Sequence, residues 1–120
     1  MTTHTRTEAD LLGDMEIPAS ALYGIHTVRG VQNLTVSSRQ IGQERALVMA
    51  FAQAKKAAAY ANRDLAQITA AQCDAIAQAC DEVERGQHDH EFIVDMMEGS
   101  GGTSTNMNFN EVIANRAQQV

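Results

Sequence analysis

The amino-acid sequence predicts a mainly α-helical fold, in which a short irregular or β-hairpin arm precedes a pair of helices. Hydrophobic residues make up 44% of the 120-residue chain, but aromatic residues only 4%, and tryptophan is absent. Alanine is abundant instead, which favours closely packed helices over a β-sandwich. Two long stretches also repeat apolar residues every three or four positions, which is the period of a helix with one buried face.

Residues 1–40 are expected to form an N-terminal arm. Gly13 and Asp14 are a turn signal between two short segments, so a small hairpin or loop that packs on a larger body is predicted there. The stretch from Tyr23 to Arg39 has no sustained period, and many of its residues are β-branched. We therefore expect this stretch to be irregular or extended.

Residues 41–87 are predicted to form an antiparallel helical hairpin. Its first helix runs from about Gln43 to Leu65. The apolar stripe of that helix has the spacing 4, 3, 4, 3, 4 and consists of Leu47, Phe51, Ala54, Ala58, Ala61 and Leu65. Lys55 and Lys56 lie beside this stripe and are expected to form a solvated flank.

The second helix of the hairpin is predicted to begin at a capping box formed by Thr69 and Gln72. Apolar residues then recur at helical spacing until Gly86 ends the helix, and two of them are Cys73 and Cys80. Residues seven apart on one helix face lie about 10 Å apart along the axis, too far for a disulfide. Both cysteines are therefore expected to be reduced, half-buried packing residues of a cytosolic protein.

The charge of the chain argues against nucleic acid as a partner. The net charge is −6 and the pI is about 5.0, whereas phosphate neutralisation requires clustered Lys and Arg. No apolar run approaches the length of a membrane span, and the first ten residues are too polar for a signal peptide. We expect a cytoplasmic protein that contacts neither nucleic acid nor membrane.

Glycines and hydroxyl side chains are concentrated in residues 98–120, where a third helix is predicted to begin near Ser104. The glycines can adopt positive φ and let backbone N–H groups approach a ligand closely. Thr103 and Ser104 add hydroxyl donors, and Asn106 and Asn110 share one face of the helix. Uncharged donors at the positive end of a helix suit a small oxyanion such as a carboxylate or phosphate.

A simpler interpretation of the same segment is a Gly-rich connection followed by a Ser or Thr N-cap, with solvated asparagines. No Lys follows the glycines, so the spacing of a Walker-type phosphate loop is absent. The order of the residues favours a function over this interpretation. The run from Gly102 to Ala117, GTSTNMNFNEVIANRA, closely resembles the signature of the aspartase/fumarase superfamily, in which it forms one wall of the active site.

The similarity extends from about Arg6 to Val120 and falls on the aspartase side of the superfamily. The evidence is the triplet Gly102-Thr103-Ser104 and the heptapeptide YGIHTVR that ends at Arg29. The resemblance implies the N-terminal domain of that fold, without its central helical bundle. Because the predicted third helix has no stop signal before Val120, we expect the N-terminal piece of a longer protein. The resemblance implies that the longer protein is a homotetramer.

The resemblance also implies an activity and its site. The reaction would be the reversible deamination of L-aspartate to fumarate and ammonia, by β-proton abstraction through an aci-carboxylate. Substrate-binding residues would be Thr103, Ser104, Asn106, Arg29 and Gly102. The catalytic base would lie outside these residues, so the 120-residue chain is expected to be inactive by itself. The resemblance implies that no redox cofactor is required. It allows activation by a divalent metal, for which the sequence shows no site.

Alternatives stay open at this stage. The same superfamily includes class II fumarases, which exchange ammonia for water. A non-catalytic helical module that binds a small anion or docks on a homologue is a third interpretation. Arg29 fits an intersubunit ion pair as well as a substrate carboxylate, and His26 is interpreted as structural. His88 to Glu91 are predicted to form a polar turn, because four consecutive side chains point in different directions and rarely hold one metal ion.

Overall fold

The computed structural model describes residues 4–120, which form a two-stranded sheet and four α-helices. The predicted mainly helical class is confirmed. The elements in chain order are β1 (Thr5–Asp10), β2 (Gly13–Pro18), α1 (Ile25–Asn33), α2 (Arg45–Asp64), α3 (Ala70–Glu84) and α4 (Thr103–Gln119).

Arg6 helps to hold the N-terminal hairpin on the body. Strands β1 and β2 pair antiparallel, and Asp10 lies opposite Gly13 across the turn. Gly13 has a φ of 121° and suits this position because it has no Cβ. The Arg6 guanidinium donates hydrogen bonds to the carbonyl oxygens of Ala21 at 2.6 Å and Tyr23 at 2.8 Å. The hairpin predicted in this arm is confirmed, and it leads directly into α1.

The irregular stretch predicted from Tyr23 to Arg39 is wrong for residues 25–33, which form α1. Carboxylates from elsewhere in the chain cap the start of this helix. The Thr27 N–H and hydroxyl donate to Glu111 of α4 at 2.8 and 2.6 Å, and the Ile25 N–H donates to Glu8 of β1 at 3.0 Å. These tertiary caps and the burial of Ile25 and Thr27 outweigh the weak helix propensity of β-branched residues.

The helical hairpin predicted for residues 41–87 is present as α2 and α3, which pack against each other. The Thr69 and Gln72 capping box is confirmed, with both reciprocal hydrogen bonds formed. Cys73 and Cys80 are free and, rather than half-buried, are both fully buried. Burial raises the pKa of the Cys80 thiol to about 11, so this side chain behaves as a small apolar residue.

The predicted apolar stripe of α2 is displaced by one position over much of its length. Ala54, Ala58, Ala61 and Leu65 are exposed, whereas Val48, Ala52 and Ala59 are buried. An alanine-rich helix carries small apolar side chains on several faces, so the elements packed against it decide which face is buried. Because the buried stripe is displaced, Lys55 and Lys56 are half-buried and do not form the solvated flank that was predicted. Lys56 pairs with Asp81 of α3 at 2.6 Å.

Three phenylalanines stack at the centre of the core. Phe109 of α4 lies between Phe51 of α2 and Phe92 of the α3–α4 connection, with ring centroids 4.4 and 4.2 Å apart. Phe109 and Phe92 are fully buried. Aliphatic side chains from the other elements surround this stack, and Val112 and Ile113 extend the buried side of α4 beyond Phe109.

The connection between α3 and α4 is fixed by pairing with the segment before α2. The Gly42 N–H donates to the Phe92 carbonyl at 2.9 Å, and the Ile41 N–H donates to the Val94 carbonyl at 3.0 Å. A Cβ at Gly42 would lie 2.1 Å from the Asp89 carbonyl oxygen, so only glycine permits this close approach. The predicted polar turn at residues 88–91 consists of His88 followed by a short 3-10 helix (Asp89–Glu91).

A partly buried ion pair joins α3 to α4. The Arg116 guanidinium donates to both carboxylate oxygens of Glu82, at 2.6 and 2.9 Å, and the His88 ring nitrogen lies 3.1 Å from the same carboxylate. These contacts, led by Arg116, lower the pKa of Glu82 from 4.5 to about 2. Such a difference corresponds to roughly 3 kcal/mol of folding free energy.

The Glu82 interaction should make stability depend on acid pH. A carboxyl whose pKa is lower in the folded protein stabilises it fully above pH 4.5 and loses that contribution as the pH falls through about 2. The unfolding free energy should therefore drop between pH 5 and pH 3 by more in the wild type than in Glu82→Gln, as measured by urea denaturation. Glu84→Gln, on the same helix and bonded to the exposed amide of Gln53, is the control. Parallel curves for the wild type and Glu82→Gln would contradict the assignment.

Candidate functional site

The first turn of α4 holds a carboxylate, and that carboxylate belongs to Glu98 of the same chain. Glu98 accepts hydrogen bonds from the N–H of Gly102, from the Ser100 hydroxyl, and from the N–H of Ser104 at 3.1 Å. The Ser100 hydroxyl, followed by the N–H groups of this turn, holds the pKa of Glu98 below its ordinary value. Hydroxyl and N–H groups of this segment thus hold a carboxylate of the chain itself, and the binding of a substrate oxyanion there stays a prediction.

The simpler interpretation, a Ser or Thr at the N-cap position of α4, is wrong. Gly102 occupies the N-cap position in the left-handed conformation, with a φ of 94°, and Gly101 before it has a φ of 69°. The free N–H groups of this turn are accepted instead by the Glu98 carboxylate and by the Ser100 hydroxyl, both of which lie before the helix. Thr103 is the first helical residue, its side chain is exposed, and its hydroxyl makes no hydrogen bond within residues 4–120.

Ser104 lies where α1 meets the start of α4. A Cβ at Gly30 of α1 would be 3.3 Å from the Ser104 hydroxyl oxygen, so the two helices approach closely at this point. The Ser104 N–H also donates to the Ser100 hydroxyl at 2.9 Å. Gly102, Thr103 and Ser104 therefore lie together on one rigid helix end, as the sequence predicts.

The asparagines after this turn have different environments. Asn106 is half-buried, and its side-chain oxygen accepts a hydrogen bond from Lys55 of α2 at 2.5 Å. Asn108 is fully buried; its amide donates to the Glu91 carbonyl at 3.0 Å, and its oxygen lies 3.4 Å from the Val94 N–H. Asn110 is half-buried beside Met107. Asn108 is thus a structural bridge to the α3–α4 connection, which leaves Asn106 as the amide nearest the anion-binding turn.

Arg29 faces the N-terminal hairpin. Its guanidinium donates to the two carboxylate oxygens of Asp10 at 2.6 and 2.8 Å and to the Gly13 carbonyl at 3.2 Å. Arg29 lowers the pKa of Asp10. The Arg29 guanidinium thus holds the hairpin against α1. A role of Arg29 in binding a substrate carboxylate stays a prediction.

Within residues 4–120, no group of three or more His, Cys, Asp or Glu side chains is arranged to hold a metal ion. Around the polar turn, Glu91 accepts the buried Leu22 N–H at 2.8 Å, His88 contacts Glu82, and His90 is exposed. His26 is exposed, and its backbone N–H donates to the Glu111 carboxylate at 3.0 Å.

No helix in the described part of the chain is long and apolar enough to cross a membrane.

Two residues of this site escaped the sequence analysis, Glu98 and Lys55. The position of Glu98, four residues before Gly102, is a usable signal, since a carboxylate at that distance can fold back on the first turn of a helix. Lys55 carries no comparable signal, because its contact with Asn106 depends on how α2 and α4 cross.

Comparison with known proteins places this geometry in a family. A family model described as lyase matches residues 13–120. Aspartate ammonia-lyase of Pseudomonas canavaninivorans is 52% identical over 112 residues, which are 93% of this chain and 24% of that protein. Class II fumarate hydratase of Halobacterium salinarum is 48% identical over all 120 residues, which are 25% of its length.

A solved structure shares the fold. The Brucella melitensis protein described as fumarate lyase:delta crystallin, bound to cobalt, superposes with a TM-score of 0.94 at 46% identity; the match covers 97% of this chain and 25% of that one. The chain thus spans about a quarter of the length of the relatives it matches. The family model covers nearly the whole chain, and the chain therefore belongs to the lyase family, as a member of the aspartase/fumarase superfamily.

Proposed function

We propose that this chain supplies the N-terminal part of an aspartate ammonia-lyase, which converts L-aspartate to fumarate and ammonia reversibly. The observation that carries the proposal is the first turn of α4, where backbone N–H groups and a hydroxyl hold the carboxylate of Glu98. Carboxylates are the groups that aspartate and fumarate share. The 52% identity to an aspartate ammonia-lyase over 93% of the chain supports the choice of substrate.

In this proposal the chain stabilises negative charge and does not move the proton itself. Removing the proton beside the β-carboxylate produces an aci-carboxylate dianion, which then expels the amine. Thr103 is exposed and its hydroxyl is free within the described residues, so it is the donor that meets an incoming carboxylate. Fixed donors at a position where charge develops lower the barrier because they need no reorganisation.

Glu98 also limits which donors of this turn a substrate carboxylate can use. Its carboxylate accepts the inward N–H groups of Gly102 and Ser104. A substrate carboxylate that used the same N–H groups would have to displace it, whereas one bound by Thr103 and Asn106 would not. We favour the second arrangement, in which Glu98 rigidifies the turn and the outer side chains bind substrate.

The remaining parts of the proposal follow the superfamily. The whole protein would be a cytoplasmic homotetramer that needs no redox cofactor, and the base and the other walls of the pocket would come from segments beyond these residues. Arg29 would support the pocket through the hairpin, since its guanidinium is already bound to Asp10.

A second candidate activity is the hydration of fumarate to malate. It is favoured by the 48% identity to a class II fumarate hydratase over the entire chain. The two reactions share a proton abstraction and an aci-carboxylate and differ in the leaving group, so the donors of α4 serve both equally.

A chimera tests both activities. Residues 1–120 would replace the matching N-terminal quarter of the Pseudomonas canavaninivorans aspartate ammonia-lyase, and fumarate formation would be followed by its ultraviolet absorbance with L-aspartate or L-malate. We expect deamination by the chimera and none by the 120-residue chain alone. A chimera that forms tetramers but acts on neither substrate would refute the proposal, and turnover of L-malate alone would favour fumarase. Turnover by the isolated chain in proportion to its concentration would show that it carries its own base.

A further inference from the structure

The contact between Lys55 and Asn106 links α2 to the proposed site. The Lys55 ammonium lies 2.5 Å from the Asn106 side-chain oxygen, and both residues are half-buried. Lys55 forms no ion pair within residues 4–120. Its neighbour Lys56 differs, because its ammonium is neutralised by Asp81 at 2.6 Å. In a chain with a net charge of −6, a half-buried cation without a carboxylate partner is unusual.

This contact determines which end of the Asn106 amide is available. An ammonium group only donates hydrogen bonds, so the oxygen of the amide must face Lys55. The amide nitrogen, with its two N–H donors, then points away from Lys55 and makes no hydrogen bond to the rest of the described chain. Asn106 lies three residues after Thr103, and residues with this spacing share a helix face.

We propose that Lys55 is a positioning residue: it holds the Asn106 amide with its N–H donors directed at the carboxylate that Thr103 is proposed to bind. The inference rests on the proposed function of this helix end. Lys55 acts through Asn106 and does not touch the substrate. Without the ammonium, the amide can rotate and present its oxygen, which repels a carboxylate. The charge of Lys55 also favours an anion nearby, because no carboxylate of the described chain neutralises it.

The local claim can be tested on the 120-residue chain by nuclear magnetic resonance. Lys55→Met removes the ammonium and keeps most of the apolar stem. We expect it to shift the side-chain amide resonances of Asn106, while Lys56→Met leaves them in place. The reciprocal variant Asn106→Ala should shift the Lys55 ammonium resonance and not that of Lys56. If Lys55→Met fails to fold, Asn106→Ala by itself decides whether Lys55 contacts Asn106. Unchanged Asn106 or Lys55 resonances in the folded variants would overturn the inference.

The functional claim is tested by a double-mutant cycle in the active chimera. We expect Lys55→Met to lower kcat/KM for L-aspartate by about 10- to 100-fold, the scale of a misplaced binding group. In the Asn106→Ala background, Lys55→Met should lower kcat/KM by less than about 2-fold further, since both changes remove the same interaction. Lys55→Arg should restore most of the loss, and Lys56→Met should have little effect.

The outcomes separate this inference from the proposed function. A general structural role of Lys55 would lower kcat/KM equally in the presence and absence of Asn106, and independent losses would therefore overturn the inference. An inactive but tetrameric chimera would remove the proposed function. The resonances of Asn106 and Lys55 would still decide whether the contact positions the amide.

Discussion

Phe109→Ala should destabilise the protein by about 3–5 kcal/mol, the scale for removing a buried phenylalanine from a packed core. Phe109 is fully buried, and its ring stacks on those of Phe51 and Phe92 on opposite sides. The substitution removes the ring that joins α2, α4 and the α3–α4 connection and leaves a cavity between two aromatic faces. Because small domains have an unfolding free energy of about 5–15 kcal/mol, such a loss is a large fraction of the total.

Urea denaturation followed by circular dichroism measures this effect. Tyr60→Ala removes an aromatic ring from α2 at a position that is 38% exposed, and it should cost less than about 1 kcal/mol. Phe109→Leu should recover a large part of the loss, since it refills much of the cavity. Equal midpoints for Phe109→Ala and Tyr60→Ala would show that the aromatic stack is not the centre of the core.

Thr103→Val should lower kcat/KM for L-aspartate by roughly 10²–10³ in the active chimera, the scale for losing one oxyanion donor. The change keeps the β-branched shape and removes the hydroxyl. Stability should change little, because Gly102 occupies the N-cap position and the Thr103 hydroxyl makes no hydrogen bond within the described residues. The structure thus separates a kinetic effect from a capping effect that would cost about 1 kcal/mol.

Steady-state kinetics and the melting temperature, measured on the same variant, decide between these effects. Thr105→Val is the matched control: Thr105 lies on the same turn and is buried, so its substitution tests tolerance to valine there without removing an exposed donor. Wild-type kcat/KM together with a lowered melting temperature in Thr103→Val would exclude Thr103 from the site. If kcat and kcat/KM fall equally and KM is unchanged, the lost contact is one made only in the transition state.

Local sequence signals predicted those features whose partners lie nearby in the chain. The capping box of Thr69 and Gln72, the turn at Gly13 and the start of α4 after the glycines depend on residues within a few positions of one another. Each has its own backbone geometry and hydrogen bonds, so one sequence suffices to recognise it. The anion-binding character of the α4 N-terminus belongs to the same class, because adjacent N–H groups and hydroxyls create it.

Features with distant partners were decided by the tertiary structure. α1 forms where the sequence favours extended backbone, because Glu111, more than 80 residues away, accepts the N–H groups of His26 and Thr27. Arg29 is directed to Asp10, and Lys55 to Asn106, by contacts between separate elements. Periodicity alone could not identify the buried face of α2, since alanines lie on several faces of this helix and its neighbours select one of them.

The sequence by itself therefore determined the helical class, the superfamily and the stretch proposed to bind a carboxylate, because these depend on composition and on short continuous motifs. Only the tertiary structure decided which groups occupy or orient that site. Glu98 caps the first turn of α4, and Lys55 determines which end of the Asn106 amide is free. The physical reason is that a hydrogen bond forms between groups a few ångströms apart, and the packing of helices, rather than the order of residues, brings α2 to α4.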